Sequence, residues 1–156
     1  MTACIVGWSH TRFGKLDDRN LESLVVEVAT QAVADAGLAP ADIDAIYIGT
    51  FNAGMDRQEF ISSLVLQADA NFRFAPATRV ENACATGSAA IHQGLNAIAA
   101  GRARFALAVG VEKRTAVSSA EVGECLIKVS DVSEEGGRPC GFAGVFRLIA
   151  ENYFER

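Results

Sequence analysis

Histidine, proline and positive charge are all scarce in this 156-residue chain. It holds 2 His and 3 Pro, and its 14 Lys and Arg are outnumbered by 19 Asp and Glu, for a formal net charge of -5. A nucleic-acid partner calls for a basic stripe, and the scattered cations form none. Four cysteines, Cys4, Cys84, Cys125 and Cys140, stand too far apart for a CxxC pair. With only His10 and His92 beside them, no metal site is expected. No apolar run approaches the roughly 18 residues that span a bilayer, so no membrane span is expected. GxGxxG and Walker patterns are missing, which removes a nucleotide cradle. The opening MTACIVGWSHTRFG has neither a basic leader nor a cleavable apolar segment. A cytoplasmic, unprocessed protein without a disulfide framework is the expectation.

What is present is enough apolar side chain to build a core. Hydrophobic residues make up 50% of the chain and charged ones 21%, which places it among globular domains of ordinary size. Residues 3 to 8, ACIVGW, read as a strand before a polar loop. From Leu21, apolar side chains at Leu24, Val25, Val28, Ala29, Ala32, Val33 and Ala36 recur at helical spacing. Asn20 caps that helix and Gly37 ends it. A second strand is expected at Ala45 to Thr50, a helix from about Arg57 to Ala68, and a third strand over ATRVENA after Pro76. That strand runs into Cys84, where a helix extends to Ala100 and Gly101 closes it. RFALAVGVEK, residues 104 to 113, is a fourth strand.

Strands alternating with helices imply an α/β fold, a mostly parallel sheet with crossover helices. The strand FALAVGV is apolar without alternation, as in a strand covered on both faces. The helix from Cys84 is small or apolar nearly all round, which predicts burial on every side. A missing half of the protein or a partner chain is expected to cover it. Residues 114 to 141 lack a period and carry Gly136, Gly137 and Pro139, so they read as loop. Helical spacing returns from Phe142 to Arg156.

Cys84 sits where a strand gives way to a helix. Two readings of the residues stand side by side. A free cysteine packs readily as a small hydrophobe. A cysteine at a helix start is also where the macrodipole and free backbone N–H groups favour a thiolate and stabilise an oxyanion. The small neighbours Ala83, Ala85 and Gly87 leave room for an acyl group and its carrier.

The segment VENACATGSAAIHQGLNAIAAGRARFALAVGVEK resembles the nucleophile segment of the thiolases. IVGWSHTRFG, the helix ending DAGL and the strand IDAIYIGT are similar to the family's opening. GFAGVFRLIAENYFER resembles a helix of its loop domain, most closely in the sterol-carrier-protein-type branch. The resemblance implies the N-terminal half of a layered αβαβα fold over residues 1 to 113, followed by the start of the loop domain over 114 to 156. It implies a homodimer or higher oligomer, or a separate chain supplying the C-terminal half. It also implies an acyl-CoA C-acyltransferase in which Cys84 takes the acyl group from a coenzyme A thioester, the substrate, with no covalently bound cofactor. In lipid and fatty-acid metabolism such an enzyme works by thiolytic cleavage or Claisen condensation.

The family's catalytic histidine and second cysteine belong to C-terminal motifs that nothing here matches. Cys140 reads as a loop thiol and Cys4 as a core residue of the first strand. His92 follows Cys84 by eight positions, roughly 12 Å along a helix, beyond reach of the thiol. His10 reads as a surface residue. Glu81 and Asn82 flank the nucleophile and orient its turn. Arg138 and Arg147 are cations in a polar stretch, read as solvated rather than as phosphate ligands. A non-catalytic thiolase-fold scaffold, or a partner subunit of a lipid-transfer-type domain, is the alternative from another class. A retro-aldolase or other acyl-condensing relative is the alternative among enzymes.

Overall fold

Asn20 starts the first helix with a reciprocal pair of bonds. Its side chain accepts from Ser23 N at 2.8 Å, and the Ser23 hydroxyl accepts from Asn20 N at 3.1 Å, closing a capping box. Helix α1, Leu21–Asp35, buries Leu21, Leu24, Val25, Ala29 and Val33, and Gly37 leaves the helix at φ +66°. The computed structural model describes residues 2–51, 54–137 and 139–155. Arg138 lies outside the described residues.

Strand β1, Ala45–Gly49, is the centre of a three-stranded parallel sheet. It pairs on one side with β2, Ala77–Val80, and on the other with β3, Ala106–Gly110. Gly49 stands opposite both Val80 and Gly110. Alternation along β1 sends Ile46 and Ile48 to one face, where they join the buried face of α1, Leu107 and Val109. The other face, through Ala45 and Tyr47, meets helix α2, Thr86–Ala99, at Ala97 and Ile98. Small residues let this helix approach closely: a Cβ added to Gly94 would lie 3.4 Å from Ala106 Cβ.

Several expected elements are corrected. Residues 3 to 8 form no strand. This segment is instead tied to α1 by side chains, through Trp8 N to Asp35 Oδ2 at 3.0 Å and Ser9 Oγ to Gln31 Oε1 at 2.7 Å. Its Cys4 is exposed, not core. The helix expected from Arg57 is a 3-10 turn over Ile61–Gln67, entered through Phe60 at φ +53°. Ile61, Leu64 and Val65 nonetheless face the core. Helix α2 is not buried all round: Thr86, Ala90, Gly94 and Ala97 form one buried stripe, while Ile91 and Leu95 on the opposite side are 47% and 39% exposed. Likewise β3 buries Leu107 and Val109 but exposes Ala108 and Gly110.

Residues Met1–Lys113 form one compact unit and Arg114–Arg156 a second. The second contains structure where the composition suggested loop. Helix α3, Ser119–Ile127, opens on a capping box between Ser118 and Glu121, and a short α4, Val132–Glu135, is capped by Asp131. Helix α5, Gly141–Phe154, follows Cys140, which holds φ +65° with its thiol exposed. Val122 and Cys125 of α3 are buried, while Phe146, Ile149 and Tyr153 of α5 are exposed. No helix among the described residues is long and apolar enough to cross a membrane.

Candidate active site

Beyond the carboxyl end of β2 the chain turns sharply and presents a thiol. Asn82 is at φ -156° and ψ 51°, and Ala83 follows at φ +45°, the left-handed region that few alanines occupy. Ala83–Ala85 then make one 3-10 turn, continued by α2. Cys84 is the middle residue of that turn and is exposed as a free thiol. The packed-thiol reading is therefore not what the chain adopts.

Short bonds shape the turn. Glu81 Oε1 accepts from Ala83 N at 2.6 Å, as expected of a flanking residue that orients the loop. Asn82 contributes through its backbone: its N–H donates to Thr86 Oγ1 at 2.8 Å, and its carbonyl accepts from Ala85 N at 2.9 Å. Thr86 Oγ1 in turn donates to Ala83 O at 2.7 Å. Thr86 was not foreseen. A hydroxyl residue in the first helical turn is the signal that finds it, since Ser and Thr there bond nearby backbone.

A second carboxylate lies at the same edge of the sheet. Glu112, just past β3, is half-buried and accepts from Phe51 N at 2.8 Å. Burial pushes its pKa above the ordinary carboxylate value, while the Phe51 N–H and the Arg79 charge partly oppose that shift. Arg79 on β2 pairs with Glu59 at 3.0 Å. This edge, where parallel strands end, is where open α/β sheets place their ligands.

An apolar cavity of about 780 Å³ lies elsewhere. It lies between residues 2–11, α1, the exposed side of α2 and β3, and Cys84 does not line it. Its apolar walls include Ile91, Leu95 and Ala108, side chains left open on α2 and β3. The remaining candidates are dispersed. His92 is exposed on α2, His10 is exposed near Phe13, and Cys125 is buried in the second unit. Arg147 is bound to Glu151 of α5 at 2.6 Å. No group of three or more His, Cys, Asp or Glu among the described residues is placed to hold a metal ion.

Comparison with known proteins bears on this geometry. Residues 3–133 match the family described as thiolase, N-terminal domain. The acetyl-CoA acetyltransferases of Methanothermobacter thermautotrophicus and Methanocaldococcus jannaschii are 35% and 37% identical to the chain over 150 residues. Both alignments cover 96% of this chain and 38% of the relative, so the chain spans about two-fifths of the curated relatives' length. Among solved structures, the Acat5 thiolase of Ascaris suum, crystallised with coenzyme A, superposes with a TM-score of 0.56 at 19% identity. That match covers 67% of this chain and 27% of the other.

Proposed function

From the premise that the chain belongs to the thiolase family, carrying its N-terminal domain over residues 3–133, we propose that it contributes the acyl-accepting cysteine of an acyl-CoA C-acyltransferase. The observation that carries this reading is the exposure of Cys84 on a strained turn between β2 and α2. A small-residue approach supports it: Ala83, Ala85 and Gly87 bring no side chain larger than a methyl near the thiol.

In the proposed step Cys84 gives up its proton to a base, and its Sγ bonds to the carbonyl carbon of an acyl thioester. The carbonyl electron pair moves to oxygen. The Cys84 N–H is the turn's donor proposed for that oxyanion, since the N–H groups of Asn82, Ala83, Ala85 and Thr86 already donate within the turn. The pair returns, the bond to the coenzyme A sulfur breaks, and coenzyme A leaves as a thiolate that takes up a proton. The acyl group stays on Cys84 for thiolysis or for attack by a second, carbanionic acyl-CoA. The base is proposed to come from outside the described residues of this chain, since His92 stands exposed two turns along α2.

The exposed side of α2 and the apolar cavity beside β3 support a further part of the reading, that a second copy or a C-terminal half covers this face. Residues 114–156 are proposed as the start of the family's loop domain, and the α5 sequence underlies the proposed link to the sterol-carrier-type branch and to lipid metabolism. Release of free coenzyme A from acetyl-CoA, followed chromatographically on the whole polypeptide, tests the reaction. A stoichiometric burst lost in Cys84→Ser supports it. No burst contradicts it and favours a thiolase-fold scaffold, whereas an equal burst in Cys84→Ser contradicts the assignment of the acceptor to Cys84.

A further inference from the structure

One buried hydroxyl holds the turn that carries Cys84. Thr86 is 6% exposed, and its Oγ1 both accepts from Asn82 N and donates to Ala83 O. The Thr86 backbone N–H donates to the same Ala83 oxygen. That oxygen belongs to the peptide joining Ala83 to Cys84. Because a peptide is planar and trans, fixing the direction of its C=O fixes the opposite direction of its N–H, which is the amide of Cys84. Ala83 at φ +45° would relax toward commoner backbone if these bonds were released.

Thr86 cannot turn away from this task. A Cβ added to Gly49 would lie 2.5 Å from Thr86 Cγ2 and 3.2 Å from Thr86 O, so the threonine methyl rests directly on the backbone of the central strand. Branching at Cβ already restricts χ1, and the contact with Gly49 selects the rotamer that leaves the hydroxyl facing the turn. The side chain thus has two functions: the methyl seats on β1 and the hydroxyl grips residues 82 and 83. From the helix side, Ala85 at the N-cap makes no side-chain bond, and among the described residues Thr86 alone is seen to grip both positions. Glu81 acts from the strand side, on Ala83 N alone.

We infer that Thr86 is a positioning residue that aims the Cys84 amide, and with it the thiol, at the thioester carbonyl. The inference rests on the acyl transfer proposed above. In that transfer an oxyanion forms and the Cys84 N–H meets it. Alkylation of the same sulfur by iodoacetamide expels iodide from a saturated carbon and forms no oxyanion. Loss of aim therefore slows acylation much more than alkylation, a split that general loosening of the fold does not produce.

The test compares wild type, Thr86→Val and Thr86→Ser in the whole polypeptide under conditions where each is folded. Acetyl transfer from acetyl-CoA to Cys84 is timed by quenched mass spectrometry beside the iodoacetamide rate. Valine keeps the methyl contact and removes the hydroxyl, so acylation falls about tenfold to a hundredfold and alkylation falls far less. Serine keeps the hydroxyl and recovers most of the acylation rate. If the valine variant does not fold, Thr86→Ala gives the same comparison without bulk at the site. Wild-type acylation matched by Thr86→Val, or both reactions slowed equally, overturns the positioning role and leaves Cys84 as acceptor. A wild type that takes no acetyl group overturns both.

Discussion

Gly49 and Thr86 meet so closely that the strand residue has no room for a side chain: a Cβ at position 49 would approach Thr86 Cγ2 to 2.5 Å. This contact joins the end of the central strand to the start of the helix that follows Cys84. Gly49→Ala is accordingly expected to destabilise the first unit by about 1–3 kcal/mol, the range for overpacking a filled site. Because Thr86 would have to shift, the alkylation rate of Cys84 should change in the same variant. Urea unfolding and timed alkylation measure the two effects separately.

Ala83 provides the complementary case. At φ +45° a side chain is strained and glycine is not. Ala83→Gly should be neutral or stabilising by up to about 1 kcal/mol, whereas Ala83→Val should destabilise by about 1–2 kcal/mol, because a β-branched residue resists the left-handed region. Denaturant midpoints of the two variants against wild type decide it.

Two carboxylates give opposite pH signatures. Burial, the largest influence on Glu112, raises its folded pKa above 4.5. Folding therefore favours its protonated form, and the stability it contributes is present below that ordinary value and lost as pH rises through the folded one. Asp44 behaves inversely. Its Oδ2 accepts from Phe105 N at 3.0 Å and Arg104 N at 2.7 Å, and these bonds hold its folded pKa below 3.8. Its contribution is present above 3.8 and lost as pH falls through the folded value. Relative to wild type, Glu112→Gln should gain stability from acid to neutral pH, and Asp44→Asn should lose it. Unfolding curves at acidic and neutral pH read both signs.

The helix caps yield a fourth expectation. Asn20→Ala removes the acceptor for Ser23 N and should lower the stability of the first unit by about 0.5–2 kcal/mol. Phe72→Ala, at a side chain only 1% exposed, should do more, about 3–5 kcal/mol, since it empties part of the core. Calorimetric or denaturant unfolding ranks the two, and a larger loss at Asn20 would contradict the packing described.

Helix α1 was legible in the sequence because its apolar period runs over 15 residues between a capping asparagine and a glycine. The turn over Ile61–Gln67 was harder, since over 7 residues a period of 3 and one of 3.6 select nearly the same inward side chains. Residues 3–8 looked like a strand on composition, but a strand exists only with a ladder partner, and here side chains of α1 claim the segment instead. The capping box at Ser118 was readable as a Ser-x-x-Glu pattern and was obscured by the glycines and proline farther on. At the site, a thiol at a strand-to-helix junction identified Cys84 as the candidate. Thr86 escaped notice because its importance lies in two backbone bonds and in a contact with Gly49, 37 positions earlier in the chain, which no local spacing reveals.

Peptide mapping after brief exposure to acetyl-CoA measures directly whether Cys84 accepts an acyl group. One acetyl group per chain is expected on the peptide containing Cys84, removed by hydroxylamine and missing in Cys84→Ala, with Cys4, Cys125 and Cys140 unmodified. An unmodified Cys84 in a chain that is folded and complete with its partners, or acetylation spread over the exposed thiols Cys4 and Cys140 at a similar rate, would contradict it.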